Sequence, residues 1–222
     1  QMVAEIKAAA RLEIQERGTA GISLRALARR LNITAPAVYN YFPSLDDLLT
    51  ALLVDAFNAL ADAMQAAGEA LPSDAPVLER ASAAILEYRG WAVRHPEEFQ
   101  LIYGNPIPGY AAPAELTRPL AARPFAILLS YFGAAIERGE ALLPPGYRQA
   151  PAALLPYLEG LRAASGFNEP AELLYYLTAG WARVHGMVML ELFHHSQGVI
   201  GQPEIFYQQE VDNLLQSMQS TI

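Results

Sequence analysis

Along the chain, apolar residues recur three and four positions apart between short polar or Gly/Pro interruptions, which is the period of amphipathic helices. Residues 3–17 place Val3, Ile6, Ala10 and Ile14 on one face, with Gly18 as the stop. Ser23 is a strong N-cap, and Leu24, Leu27, Ala28 and Leu31 follow it as one apolar stripe of a short helix. Asn32 breaks that helix, because Asn is the best substitute for Gly where the backbone turns left-handed. Thr34 stands where a second helix can be capped, and Pro36 falls in its first turn, where a missing N–H costs little. Val38 and Phe42 can face the core, leaving Ala35, Ala37, Tyr39, Asn40 and Tyr41 largely outward. Pro43 stops the helix, and Ser44 with Asp47 has the capping-box spacing that opens the next one.

The same period continues to the C-terminus. Residues 45–67 form a long helix carrying Leu49, Leu52, Leu53, Ala56, Phe57, Leu60 and Met64 on its apolar side. A break at 68–76, with Ser73 as a candidate cap, precedes a helix that presents Leu78, Ala81, Ile85, Tyr88 and Ala92, with Trp91 beside them. Pro96 opens a short helix with Phe99, Leu101, Ile102 and Tyr103, and no helix crosses the Gly/Pro loop at 104–110. Residues 114–138 return to helix, interrupted or kinked by Pro119 and Pro124; 139–151 read as a loop and 152–165 as a shorter helix. Residues 169–196 are the most apolar long helix, and Pro203 starts a last one to about Gln219. With β-branched runs scarce, the expected fold is all-α: an N-terminal three-helix domain over 1–47 and a larger helical domain over 48–222.

Composition narrows the function. With no cysteine among 222 residues, disulfides, thiolate catalysis and cysteine redox sensing are excluded, which fits a cytoplasmic protein. The apolar run between Pro124 and Glu137 is too short to span a bilayer and no signal-peptide pattern opens the chain, so no membrane partner is expected. The net charge of −8 at first argues against a nucleic-acid partner, but its distribution reverses the argument. Residues 1–45 hold six basic groups (Lys7, Arg11, Arg17, Arg25, Arg29, Arg30) against three acidic ones, leaving nine basic and twenty acidic for the remainder. Phosphate neutralisation is local and screened beyond about 8–10 Å, so a basic head before an acidic body is compatible with DNA. Lys7 and Arg11 lie on the first helix and are expected to be solvated rather than bound to DNA.

Two short helices joined by a tight turn fit a helix-turn-helix, although spacing alone does not separate it from an ordinary helical hairpin. The residues do. The string Gly18…Gly21-Ile22-Ser23-Leu24-Arg25-Ala26-Leu27-Ala28, then Leu31-Asn32-Ile33, then Ala35-Pro36-Ala37-Val38-Tyr39-Asn40-Tyr41-Phe42, then Leu48, resembles the N-terminal domain of TetR-family transcriptional repressors over about the first 65 residues. The resemblance implies that Arg25, Asn40 and the small Ala35, Pro36 and Ala37 edge contact bases, and that Ser23, Thr34, Tyr39 and Tyr41 contact phosphates. It departs at Leu45, where many members of the family carry a cation; Asp46 and Asp47 oppose a phosphate there.

Toward the C-terminus, Trp181-Ala182-Arg183-Val184-His185-Gly186, with His95-Pro96-Glu97-Glu98-Phe99 and Asn105-Pro106 upstream, is similar to the TetR subgroup that bears a Trp…His-Gly signature. The last two helices have apolar faces wider than one core needs, which suggests a four-helix dimer interface, and the family implies a homodimer through them; the alternative is that they complete a monomer core. It also implies a small hydrophobic effector, for which Tyr88, Trp91, Phe99, Tyr103, Phe132, Trp181, His185 and Met189 are the candidate wall, each of which could otherwise be plain core. Glu191, His194 and His195 have metal-ligand spacing but sit at a helix end, where a histidine pair is ordinarily solvated, so no metal is expected. No nucleophile elbow, P-loop, zinc-protease or dinucleotide motif occurs, so neither catalysis nor a cofactor is expected. The resulting expectation is a dimeric, effector-released repressor on a near-palindromic operator; the alternative is a helical small-molecule-binding or scaffold protein with an inactive head.

Overall fold

In the computed structural model, which describes residues 1–195 and 198–219, the regular elements are helical and no strand occurs among the described residues. The helices are α1 Met2–Arg17, α2 Leu24–Arg30, α3 Ala35–Tyr39, α4 Leu45–Glu69, α5 Val77–Arg94, α6 Pro96–Tyr103, α7 Ala114–Glu137, α8 Leu155–Ser165, α9 Ala171–Leu192 and α10 Pro203–Gln219. The fold is all-α, with an N-terminal helix-turn-helix, as its pattern predicts. α9 ends at Leu192, short of the expected Ser196 (itself outside the described residues), because residues 193–195 turn, with His194 left-handed at φ 59°. Contacts divide the chain into two compact units, residues 1–59 with 95–121, and residues 60–94 with 122–222.

In the first unit the local signals act where they stand. Gly18 ends α1 at φ 70°, its N–H donating to Ile14 O. The Ala26 N–H donates to Ser23 Oγ at 3.2 Å, and Asn32 takes the left-handed conformation at φ 54°. The Asp47 N–H donates to Ser44 Oγ at 3.1 Å while the Ser44 N–H donates to Asp47 Oδ2 at 3.0 Å, a reciprocal capping box. Thr34 precedes α3, but its hydroxyl makes no cap bond. Such caps contribute about 1 kcal/mol each. The larger contribution is the head core of Ile6, Ala10, Leu27, Val38, Phe42, Leu48 and Leu52, since each fully buried Leu, Ile, Val or Phe supplies ~1.5–3 kcal/mol. Val3 departs from expectation: it is 40% exposed at the start of α1, and the buried face runs instead through Ala9 and Glu13.

The second unit is tied by side chains from distant parts of the chain. Arg89 of α5 donates Nε and Nη2 to the two Glu191 oxygens of α9 at 2.8 and 2.7 Å, and its guanidinium lies 6.0 Å from the Tyr207 ring centre of α10. The Tyr207 hydroxyl donates to Ile85 O at 3.0 Å, and burial raises its pKa far above the ordinary phenol range, so it remains a donor. The N-terminus of α5 is held not by Ser73 but by Glu140, whose carboxylate accepts from the Val77 N–H at 2.7 Å.

Two expectations about breaks are corrected. Gly68 lies inside α4, where the Tyr131 hydroxyl occupies the space a Cβ would need. Pro119 and Pro124 lie inside a continuous α7; burial of Leu128, Leu129 and Phe132 outweighs the ~3 kcal/mol cost of an interior proline. At 24 residues α7 has the length and apolar composition of a membrane-crossing helix, longer than the apolar run between Pro124 and Glu137, and core packing buries only 28% of its apolar window.

Candidate nucleic-acid interface and effector cavities

Burial of Val38 and Phe42 fixes which side of the α3 segment turns outward. Pro36, Asn40, Tyr39 at 43% and Tyr41 at 49% are exposed, and Ala35 and Ala37 are half-buried beside them. Exposed aromatic rings and a flat edge of small residues offer apolar contact to thymine methyls, while the amide of Asn40 suits base edges or phosphate. Ser23 and Thr34 are exposed at the starts of α2 and α3. Because the Thr34 hydroxyl is not used as a cap, its hydrogen-bonding capacity stays available.

The charge of the head is arranged less simply than its count suggests. Lys7 Nζ pairs with Asp55 Oδ1 at 2.9 Å, and Arg11 pairs with Asp55 Oδ2 at 3.1 Å and Glu98 Oε1 at 2.5 Å. Neither is simply solvated, as the sequence suggests; both tie α1 to α4 or α6. Glu13, 2% exposed, accepts from Arg17 at 2.8 Å and from Arg30 Nε at 3.0 Å, and Arg30 also pairs with Glu16. The Arg30 contact holds the Glu16 carboxyl below its ordinary pKa. Among the described residues, the head cations without a carboxylate partner are Arg25 and Arg29, both exposed on α2. Arg29 is the residue that sequence reasoning passed over. Nothing in its local pattern separates it from Arg30; the partners that neutralise Arg30 are on another helix.

The eight residues expected to line an effector site fall in both units. Phe99 and Tyr103, in the first, lie 5.0 Å apart between ring centres, with Phe57 6.0 Å from Tyr103. In the second unit, Tyr88 Oη is 2.6 Å from His185 Nδ1, and Trp181 stacks on His185 with planes 8° apart and ring centres 6.0 Å apart. Burial holds the His185 imidazole below its ordinary pKa. Trp91 is buried, Met189 half-buried, and Phe132 sits edge-on to Tyr176 at 6.2 Å. The space bounded by Phe132, Tyr176 and Trp181 is only 20 Å³, room for about one water.

Two larger cavities lie elsewhere. One of 330 Å³, in the first unit, is walled by Leu53 and Phe57 of α4, Leu101 and Ile102 of α6, and Ile107 and Tyr110 of the following loop, with Arg118 of α7 on its lining. Another of 720 Å³, in the second unit, is walled by Ile136, Leu142, Leu143 and Leu173 together with Glu137, Glu169 and Glu172. The residues of the 104–110 loop carry no periodic signal, so the first of these is not readable from pattern.

A short helix pair with an exposed small-residue edge and free arginines, followed by a larger helical body, defines a helix-turn-helix DNA-binding regulator. Residues 6–52 match the bacterial regulatory proteins of the tetR family, and residues 81–214 match the tetracyclin repressor-like C-terminal domain. The HTH-type transcriptional regulator Rv1816 of Mycobacterium tuberculosis is 36% identical over 196 residues, covering 87% of this chain and 81% of its own. The crystal structure of the regulatory protein SCO4313 superposes with a TM-score of 0.79 at 30% identity, covering 97% of this chain and 96% of that one. The TetR-family regulator PfmR of Thermus thermophilus shares the fold at a TM-score of 0.61 and 18% identity, covering 96% and 97%. The chain belongs to the TetR family of transcriptional regulators.

Proposed function

We propose that this regulator is a repressor that binds a near-palindromic operator as a homodimer and is released by a small effector. Its DNA-binding domain is residues 1–47, and residues 48–222 carry effector binding and dimerisation. Arg25 and Asn40, with the Ala35, Pro36 and Ala37 edge, read bases in the major groove; Ser23, Thr34, Tyr39, Tyr41 and Arg29 hold phosphates. The observation that carries this reading is the internal pairing of Lys7, Arg11, Arg17 and Arg30, which leaves Arg25 and Arg29 as the exposed cations of the head without a carboxylate partner among the described residues.

Two heads must be held at a fixed separation to meet successive major grooves, so a dimer is required. Leu190 at 44%, Ile205 at 64% and Phe206 at 42% exposed, on α9 and α10, are the apolar residues that a partner subunit would cover. An effector that binds one head separation better than another shifts the population between them, and release follows as a coupling free energy rather than as a block of the DNA face. The test is a salt-dependent mobility-shift assay on the DNA upstream of its own gene. Specific binding with a negative log–log slope supports a repressor; tight small-molecule binding with no sequence-specific DNA complex supports a helical binding protein whose head is inactive.

A further inference from the structure

The geometry points to the 330 Å³ cavity of the first compact unit as the site of an amphipathic anion, a medium-chain carboxylate, through which the effector acts on the head. The regulatory half of this inference rests on the repressor reading above. The binding half does not.

Size comes first. A cavity of about 150 Å³ takes a benzene, so one of 330 Å³ takes roughly a dozen non-hydrogen atoms. Chemistry comes next. Leu53, Phe57, Leu101, Ile102 and Ile107 give it apolar walls suited to an alkyl body. Arg118 supplies the one charge on its lining and is exposed, with no carboxylate partner among the described residues. Arg118 thus differs from Arg11, Arg17 and Arg30, which are paired internally, and unlike the unpaired Arg25 and Arg29 on the exposed side of α2 it borders an apolar cavity. A guanidinium fork matches a carboxylate bidentately and repels an ammonium. The larger cavity of the second unit differs on this point, since its lining carries Glu137, Glu169 and Glu172, and its Arg148 already donates to Leu143 O.

The link to the head is short. Leu101, Ile107 and Tyr110, which wall the cavity, also pack against the helix-turn-helix core. The Tyr110 hydroxyl lies 2.9 Å from Thr50 Oγ1 on α4. A ligand seated against Leu53 and Phe57 on one side and this loop on the other bears on the same contacts that support the head, so bound and empty cavities favour different head packings.

Calorimetry of the full chain with decanoate, 1-decanol and decylamine tests the site in the absence of DNA. Decanoate should bind at least about tenfold tighter than the neutral and cationic probes, and Arg118→Gln should remove that preference while leaving 1-decanol unchanged. Ala112→Trp, which fills the cavity from its exposed loop, should weaken all three. No decanoate binding, equal or tighter decylamine binding, or an Arg118→Gln protein that binds decanoate as before each overturns the site. Operator titration with and without decanoate then tests the regulatory half. At least an about tenfold loss of operator affinity, absent in Arg118→Gln, supports it; operator binding indifferent to bound decanoate overturns it. A chain that binds no operator would sink the repressor reading, and the calorimetric result for the site would stand apart from that failure.

Discussion

The Tyr88 hydroxyl meets His185 Nδ1 at 2.6 Å, across 97 residues of sequence, and joins α5 to α9. With the imidazole half-buried and stacked against Trp181, folding favours its neutral form. The unfolded chain therefore binds the extra proton first. Stability from this pair is complete above the ordinary imidazole value of 6.5 and is lost as the pH falls from there through the lower folded value. Thermal unfolding measured across that window should show the loss, and His185→Gln should flatten it. A wild-type midpoint that rises on acidification contradicts the neutral imidazole.

Arg25 is exposed and has no internal partner, so its removal should cost the fold little. Arg25→Ala should weaken operator binding by about 1–3 kcal/mol and leave the unfolding midpoint within error. Arg29→Ala should weaken specific and non-specific DNA alike and reduce the salt slope by about one ion. An unchanged operator affinity in Arg25→Ala means that the docking face is elsewhere.

Glu13 is the buried charge of the head, and it satisfies Arg17 and Arg30 together. Removing one partner of a buried pair leaves the other uncompensated, at a cost of roughly 3–5 kcal/mol. Arg17 is largely exposed and Arg30 keeps Glu16, so neither is left as a buried lone charge. Glu13→Ala should therefore cost less than that, about 1–3 kcal/mol in chemical denaturation. A loss under about 1 kcal/mol, the scale of a surface pair, assigns the pair to the surface instead.

These three sites differ in how far the sequence reveals them. Ser23, Asn32, Ser44 and Asp47 act within four residues of themselves, and their caps and turns stand where their chemistry indicates. Glu13 and Glu140 cannot be read that way. One looks like any solvated helix carboxylate until Arg30 arrives from α2, and the other caps a helix 63 residues away in sequence. The helical periods locate α1 to α10 well, yet they do not tell that Gly68 faces Tyr131 or that α7 runs through two prolines. The aromatic residues that look like one effector wall divide between two units for the same reason: spacing gives the face of a helix, and tertiary packing decides what that face meets. Tyr88, Trp181 and His185 do come together, by ring contacts and the Tyr88–His185 hydrogen bond.

Ile205 and Phe206 present apolar surface on α10 that the described contacts leave exposed. If the second subunit covers it, a double Ile205→Glu, Phe206→Glu variant should shift the chain from dimer to monomer in light scattering and lower operator affinity in parallel. A variant that stays dimeric and binds DNA normally places the interface on another surface.

The most direct test of the central claim is fluorescence anisotropy with the DNA upstream of its own gene, titrated at several salt concentrations against a scrambled duplex. A dimeric repressor should show saturable binding by two chains per site, preference over the scramble of at least about a thousandfold, and a log K against log salt slope near −0.9 for each phosphate neutralised. Equal binding to both duplexes, or none to either at low salt, contradicts it.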